Sequence, residues 1–304
     1  MKNDILSLAC IETCTRRDPL DNAEILSRAI ALAAQGGADL IASPETCNFM
    51  EAGREAMVSR LCREADDIVV QSMQAAAKTN GVYVLAGSVA VLSMDGRAAN
   101  RSLLIDPNGN ILARYDKIHL FDVTLANGER HTESTNYQAG EQAVTADLPW
   151  GKLGMSICYD LRFASLYRSL ALAGACFIAV PSAFTRPTGK AHWEVLLRAR
   201  AIETGCYIFA PAQSGKHENG RETYGHTMII SPWGEIIAQS NPAHSSEQGL
   251  VEADRAGDRN GFDVDGFTLV KAELDIQKVD AARRQIPSLK HGRDFQPPNP
   301  SVNP

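Results

Sequence analysis

Hydrophobic and polar positions follow two alternating periods along the chain. Residues 5–11 form a largely apolar run of strand length, and residues 20–34 repeat apolar positions at helical spacing. Residues 39–42 read as a buried strand that stops at Ser43-Pro44-Glu45. Residues 60–79 read as a helix and residues 81–91 as a strand. Two further strands flank Asp106-Pro107-Asn108-Gly109, a strong turn signal, and the second, residues 111–115, leads directly to Lys117. Residues 121–140 have no clear period and read as a long ordered loop, a feature that often belongs to a site.

The second half repeats this content. Strands are expected at 143–149, 152–157, 176–180 and 206–211, with helices at 163–172 and 192–204. A hairpin of residues 227–230 and 235–238 turns at Pro232-Trp233-Gly234 and echoes the earlier one. Two halves of such similar content point to two sheets packed face to face with helices outside. No Pro-, Gly- or Ser-rich linker divides residues 1–275, so residues 1–290 are expected as a single domain. The tail at 291–304 lacks apolar periodicity and is expected to lie free or to cross a dimer interface. Residues 241–266 read as an insertion before the last strand, most simply a tolerated surface loop, with a flap or oligomer contact near the pocket as the alternative. Residues 249–254 partly echo residues 268–275, so either stretch is a candidate for the closing strand.

Composition narrows the function classes. Of 304 residues, 44 % are hydrophobic and 22 % charged, as suits a soluble protein with a large core. A net charge of −6 without a dense Lys/Arg run argues against nucleic-acid binding. No apolar run is long enough to span a bilayer. The seven cysteines are odd in number, scattered and free of any CxxC spacing. They suggest neither a disulfide framework nor a thiolate metal site, and a reducing cytoplasm is the expected location. Neither GxGxxG nor a P-loop motif occurs, so no cofactor and no metal is expected.

Three residues stand at ends of expected strands: Glu45, Lys117 and Cys158. Cys158 ends an apolar strand just before a helix, where a thiol is presented beside free backbone N–H groups. A thiolate attacks an amide carbonyl, a cation holds the developing oxyanion, and a carboxylate carries the proton to the leaving nitrogen. Pro44 restricts the backbone before Glu45, and Lys117 lies in a stretch suited to bury its stem. A cysteine–histidine hydrolase with His119, His192 or His226 as base is the competing arrangement.

The segments Ser43-Pro44-Glu45-Thr46, Tyr115-Asp116-Lys117-Ile118-His119-Leu120-Phe121-Asp122 and Gly154-Met155-Ser156-Ile157-Cys158-Tyr159-Asp160-Leu161-Arg162-Phe163 occur in order. On these motifs the chain resembles the nitrilase superfamily, the carbon–nitrogen hydrolases, over residues 4–294. The resemblance implies a Glu45–Lys117–Cys158 triad, a supporting glutamate at Glu133, and no cofactor. It further implies an α+β, four-layer αββα sandwich of the nitrilase type, a homodimer, possibly assembled further, and an oxyanion held by Lys117 and the Tyr159 N–H, with ammonia leaving ahead of a thioester. Residues 181–184 and 188–204, with Tyr224-Gly225-His226-Thr227-Met228, are similar to the amidases acting on deaminated glutathione. Omega-amidases, N-carbamoyl amino acid amidohydrolases and a catalytically silent scaffold are the alternatives. Ala164 stands where relatives usually carry proline, a departure that touches helix initiation rather than chemistry. Tyr159, Phe184, Arg186, Lys190 and Trp193 are expected to bind substrate, with Arg186 and Lys190 in a loop offering cations to an anionic amide.

Overall fold

The computed structural model describes residues 4–51, 53–93, 96–124, 128, 130–240, 261–264 and 266–296. The first sheet runs in the order Gly261–Val264, Phe267–Asp275, Ile5–Thr13, Leu40–Ala42, Tyr83–Leu92, Ala98–Ile105 and Ile111–Asp116. Tyr137–Gln138 adds to it, parallel to Ala98–Ile105. The second sheet is ordered Ile236–Gln239, Met228–Ile230, Tyr207–Ala210, Ala175–Ala179, Gly151–Met155 and Val144–Leu148. Both are mixed, with parallel pairs at the centre and antiparallel strands toward the edges.

Period-two alternation explains the layers. In strand Ile5–Thr13, Leu6, Leu8 and Cys10 face the core shared with Leu153, Met155 and Phe177 of the second sheet. Ala9 and Ile11 face the opposite way, packing with Leu26 and Ile30 of helix Pro19–Gln35 and Val69 and Met73 of helix Ile68–Asn80. On the outside of the second sheet, helices Ala164–Leu172 and Arg186–Thr204 supply Tyr167, Leu170, Trp193 and Leu197 to the core. The result is the expected α+β sandwich, helix–sheet–sheet–helix. Its central strands are buried on both faces, hence their near-continuous apolar sequence.

Three stretches depart from the reading of the sequence. The helix expected at 60–79 is shorter, Ile68–Asn80, and a separate helix, Arg54–Arg60, ends where it was expected to begin. Asp67 divides them: its carboxylate accepts from the backbone N–H groups of Val69 at 2.9 Å and Val70 at 3.0 Å, and so starts the second helix. The helix expected from residue 192 begins at Arg186, after Thr185 in an extended conformation and with Pro187 in its first turn. The 121–140 stretch carries a small hairpin, Asp122–Thr124 with Arg130–Thr132, then a short 3-10 turn, Glu133–Thr135. Of the two candidates for the closing strand, Phe267–Asp275 pairs along Ile5–Thr13 from Ile5 opposite Asp275 to Thr13 opposite Phe267, and Gly261–Val264, inside the stretch expected as a surface loop, adds the edge strand beside it. Residues 249–254 and 297–304 lie outside the described residues.

Candidate active site

Glu45 follows strand Leu40–Ala42 on a bend held from beneath by Tyr83–Leu92. The Ser43 N–H donates to Leu85 O at 2.9 Å, and the Gly87 N–H to Ser43 Oγ at 3.0 Å. A Cβ at Gly87 would collide with Ser43 O, Pro44 O and Pro181 Cβ, so only glycine admits this approach. The next residue, Thr46, has φ 55°, and its N–H donates to Ser88 Oγ at 2.8 Å. Lys117 follows strand Ile111–Asp116, with its N–H on Asn100 O at 2.9 Å. Cys158 stands three residues past strand Gly151–Met155, at the start of the 3-10 turn Cys158–Arg162. Its φ is 49°, in the left-handed region, and its N–H donates to Pro181 O at 3.0 Å. A non-glycine residue there stores about 1–2 kcal/mol, held in place by the surrounding packing.

The charged groups meet below the surface. Lys117 Nζ lies 2.9 Å from Glu45 Oε1 and 2.9 Å from Glu133 Oε2. Asn100 Nδ2 donates to both carboxylates, to Glu45 Oε1 at 3.0 Å and Glu133 Oε1 at 3.2 Å. Glu133 is also fixed by the Phe121 N–H, 2.6 Å from Oε2. Asp160, fully buried, accepts from the Tyr115 hydroxyl at 2.6 Å, the Ile157 N–H at 2.8 Å and the His119 N–H at 3.0 Å. The His119 ring Nδ1 lies 2.7 Å from it as well. Asp160 therefore ties the segment carrying Lys117 to the turn carrying Cys158. His119, thus occupied, also stacks on Phe163 with ring centroids 3.6 Å apart.

Burial and charge set the resting protonation. Burial opposes ionisation of Glu45, but the Lys117 ammonium and hydrogen bonds from Cys158 and Lys117 prevail and hold its pKa below the ordinary value. Burial also works against charge on Lys117, yet Glu133 and Glu45 together raise its pKa well above the usual lysine value. Burial, then the Glu45 charge, push the Cys158 thiol up despite Lys117. The resting site therefore holds a neutral thiol against an ionised carboxylate, with a fixed ammonium beside them. Such an arrangement can move the thiol proton to Glu45 as the sulfur attacks.

These groups open onto a cavity of about 410 Å³, lined by Glu45, Lys117, Glu133 and Cys158 among others. Tyr159 and Phe184 line it too. Arg186, Lys190 and Trp193 do not. Arg186 Nη1 pairs with Glu222 Oε2 at 3.2 Å, and Lys190 is exposed; both lie on the first turns of a helix rather than in a loop. Trp193 is buried behind Phe184, ring centroids 4.9 Å apart, with its Nε1–H donating to His226 O at 2.8 Å. The cavity's cations besides Lys117 are Arg130 and Arg221, which the sequence reading did not single out. Nor did it single out Asn100, although an asparagine inside an apolar strand is a readable anomaly. Among the described residues, no group of three or more His, Cys, Asp or Glu side chains is arranged to hold a metal ion. No described helix is long and apolar enough to cross a membrane.

The carbon–nitrogen hydrolase family matches residues 7–261 of this chain. The chain belongs to that family. Its fold is that of the nitrilase superfamily, and it is an enzyme of carbon–nitrogen bond hydrolysis. It is 39 % identical over 287 residues to a deaminated glutathione amidase of Synechocystis, covering 93 % of this chain and 96 % of that one. To a deaminated glutathione amidase of Yersinia enterocolitica it is 36 % identical over 296 residues, covering 96 % and 94 %. The crystal structure of the Caenorhabditis elegans NitFhit protein superposes with a TM-score of 0.82 at 30 % identity, over 96 % of this chain and 66 % of that longer one.

Proposed function

We propose that the protein is an amidase that cleaves a small anionic amide through a Cys158 thioester. One observation carries the reading: Glu45, Lys117 and Cys158 line one cavity, with Lys117 Nζ 2.9 Å from Glu45 Oε1. Glu45 accepts the thiol proton while Sγ bonds to the carbonyl carbon, and the carbonyl π electrons move onto oxygen. Lys117 and the Tyr159 N–H stabilise that oxyanion. The adduct collapses with loss of the C–N bond, the departing nitrogen taking the proton from Glu45. Water then attacks the thioester and gives its proton to Glu45, which returns it to the departing Cys158 sulfur. Glu133 and Asn100 hold Lys117 and Glu45 in place throughout.

Deaminated glutathione is the substrate placed first, a choice supported by the names of the Synechocystis and Yersinia relatives. Glutathione contains only secondary peptide amides, so from its deaminated form an amine leaves rather than ammonia. The expected ammonia product therefore applies to primary amides such as alpha-ketoglutaramate. The test is a panel of deaminated glutathione, alpha-ketoglutaramate, an N-carbamoyl amino acid and a neutral nitrile, scored for released amine and ammonia. Deaminated glutathione should give the highest kcat/KM. Cys158→Ala and Lys117→Ala should silence turnover, and Glu45→Gln should cost roughly 10²- to 10⁴-fold in kcat. Turnover retained by Cys158→Ala would remove the nucleophile assignment, and a preference for the nitrile would remove the substrate alone.

The same proposal holds the chain to be one catalytic unit, a homodimer and cytoplasmic. All seven cysteines are unpaired, which suits a reducing compartment. Exposed Val195, Ile202, Trp233 and Ile286 support pairing. Three of them, Ile202, Trp233 and Ile286, line a second, smaller cavity with Pro232 and Ala282.

A further inference from the structure

Among the described residues, three buried side-chain polar atoms have no hydrogen-bond partner: Asn100 Oδ1, Asn136 Oδ1 and Arg221 Nε. All three residues line the one cavity that holds Cys158. Buried polar atoms are paired as a rule, and orphans gathered at one place mark the shape of a missing partner. This partner must accept a hydrogen bond from a guanidinium and donate to side-chain carbonyls. The Asn100 orientation follows from chemistry, since its Nδ2 faces two carboxylates and its carbonyl must turn away from them.

The charges of the cavity narrow the choice further. Lys117 is taken up by Glu45 and Glu133. Glu51, also in the lining, already pairs with Arg17 at 2.8 Å and Arg60 at 2.6 Å, neither of which lines the cavity. Arg130 is exposed, where solvent weakens its attraction. Arg221 differs from these. Its Nη2 is anchored on Ala183 O, its N–H on Asn219 Oδ1 at 2.9 Å, and no carboxylate among the described residues forms an ion pair with it. The guanidinium is held at one edge while its Nε edge has no partner, and its charge is felt at Glu45 and Tyr137.

We infer that Arg221 binds the carboxylate of the substrate, at the end remote from the scissile amide, and so makes the cavity selective for anionic, peptide-like amides. This rests on the amidase reading above for the reaction, but the binding itself does not require turnover. The contact is the same in the ground state and the transition state, so its loss raises KM and leaves kcat little changed.

Two measurements test it. In the first, kcat and KM of Arg221→Ala and Arg221→Lys are compared on alpha-ketoglutaramate and on its neutral methyl ester. Arg221→Ala should raise KM for the anion by roughly 10- to 100-fold, Arg221→Lys by less, and neither should change KM for the ester more than about threefold. In the second, glutarate, which has no scissile bond, is titrated calorimetrically into the wild type and both variants. Binding should be measurable in the wild type, weaker in Arg221→Lys and absent in Arg221→Ala, with circular dichroism confirming that the variants are folded. Equal losses on anion and ester, or undiminished glutarate binding by folded Arg221→Ala, would overturn the inference. If no amide is turned over while glutarate binding still depends on Arg221, the reaction assignment fails and the anion subsite stands.

Discussion

At the scale of single residues, two buried groups give the protein separate responses to acid. Glu45 sits below the ordinary carboxylate pKa, so its base form persists as pH falls through the mildly acidic range. His217 is neutral, its pKa brought down from 6.5 to about 4 chiefly by burial, against a hydrogen bond to Thr15 O that acts the other way. Its ring is fixed between Thr15 O at 3.0 Å and Thr223 Oγ1 at 2.8 Å. Between pH 6.5 and 4 the unfolded chain takes up a proton at this position that the folded chain refuses, so stability falls as pH falls. The full shift is worth about 3 kcal/mol. Denaturant unfolding of the wild type from pH 7.5 to 4.5 should show this loss, and His217→Gln should flatten it. Over the same interval kcat/KM of the folded enzyme should stay level. A parallel decline of kcat/KM would place the acid limb in the site itself.

Elements are joined at the site by Asp160. It receives donors from Tyr115 and His119 on one side and from Ile157 on the other, so the Lys117 segment and the Cys158 turn share one anchor. Asp160→Asn keeps the volume but replaces an acceptor oxygen with an amide that faces donors. It should destabilise the protein by about 1–3 kcal/mol and lower kcat with little change in KM, read by urea unfolding and steady-state kinetics. An unchanged kcat in a destabilised variant would confine Asp160 to a structural role. Element scale is also where the sequence proved hardest to read. Helical period becomes visible only where apolar positions begin, at Trp193 and Leu197. The polar first turns of Arg186–Thr204, announced by Pro187, were therefore read as a loop, and Arg186 and Lys190 went with them into a site they do not line. Glu45, Lys117 and Cys158 were legible because each lies within three residues of the end of a strand that the pattern of the chain announces. Asn100 and Arg221 meet them only through tertiary folding, and no spacing along the chain records that.

For the whole molecule, the two-layer sheet packing followed from the repeated strand and helix content, since strands apolar on both faces need partners on both sides. Assembly is less visible, because an exposed apolar side chain has meaning only with its neighbours. The patch of Ile202, Trp233 and Ile286 brings together residues that lie far apart in sequence. Light scattering at micromolar concentration should give a dimer mass, and Trp233→Asp should shift it toward monomer without unfolding the chain. A wild-type monomer mass would remove the dimer proposal.

In the proposed mechanism the attacking sulfur and its base ride on different sheets. Glu45 and Lys117 follow strands of the first and Cys158 follows a strand of the second, while Glu133 sits on the 3-10 turn after the small hairpin. The gap that the thiol proton crosses is therefore a property of the packed layer between the sheets, where Leu85 and Leu104 meet Met155 and Phe177. Displacements of about 1 Å at a reacting centre cost on the order of 100-fold in rate. Core side chains that never approach the substrate thus act as the spacers that calibrate its chemistry, and the cavity rim remains free to change its choice of amide without disturbing them.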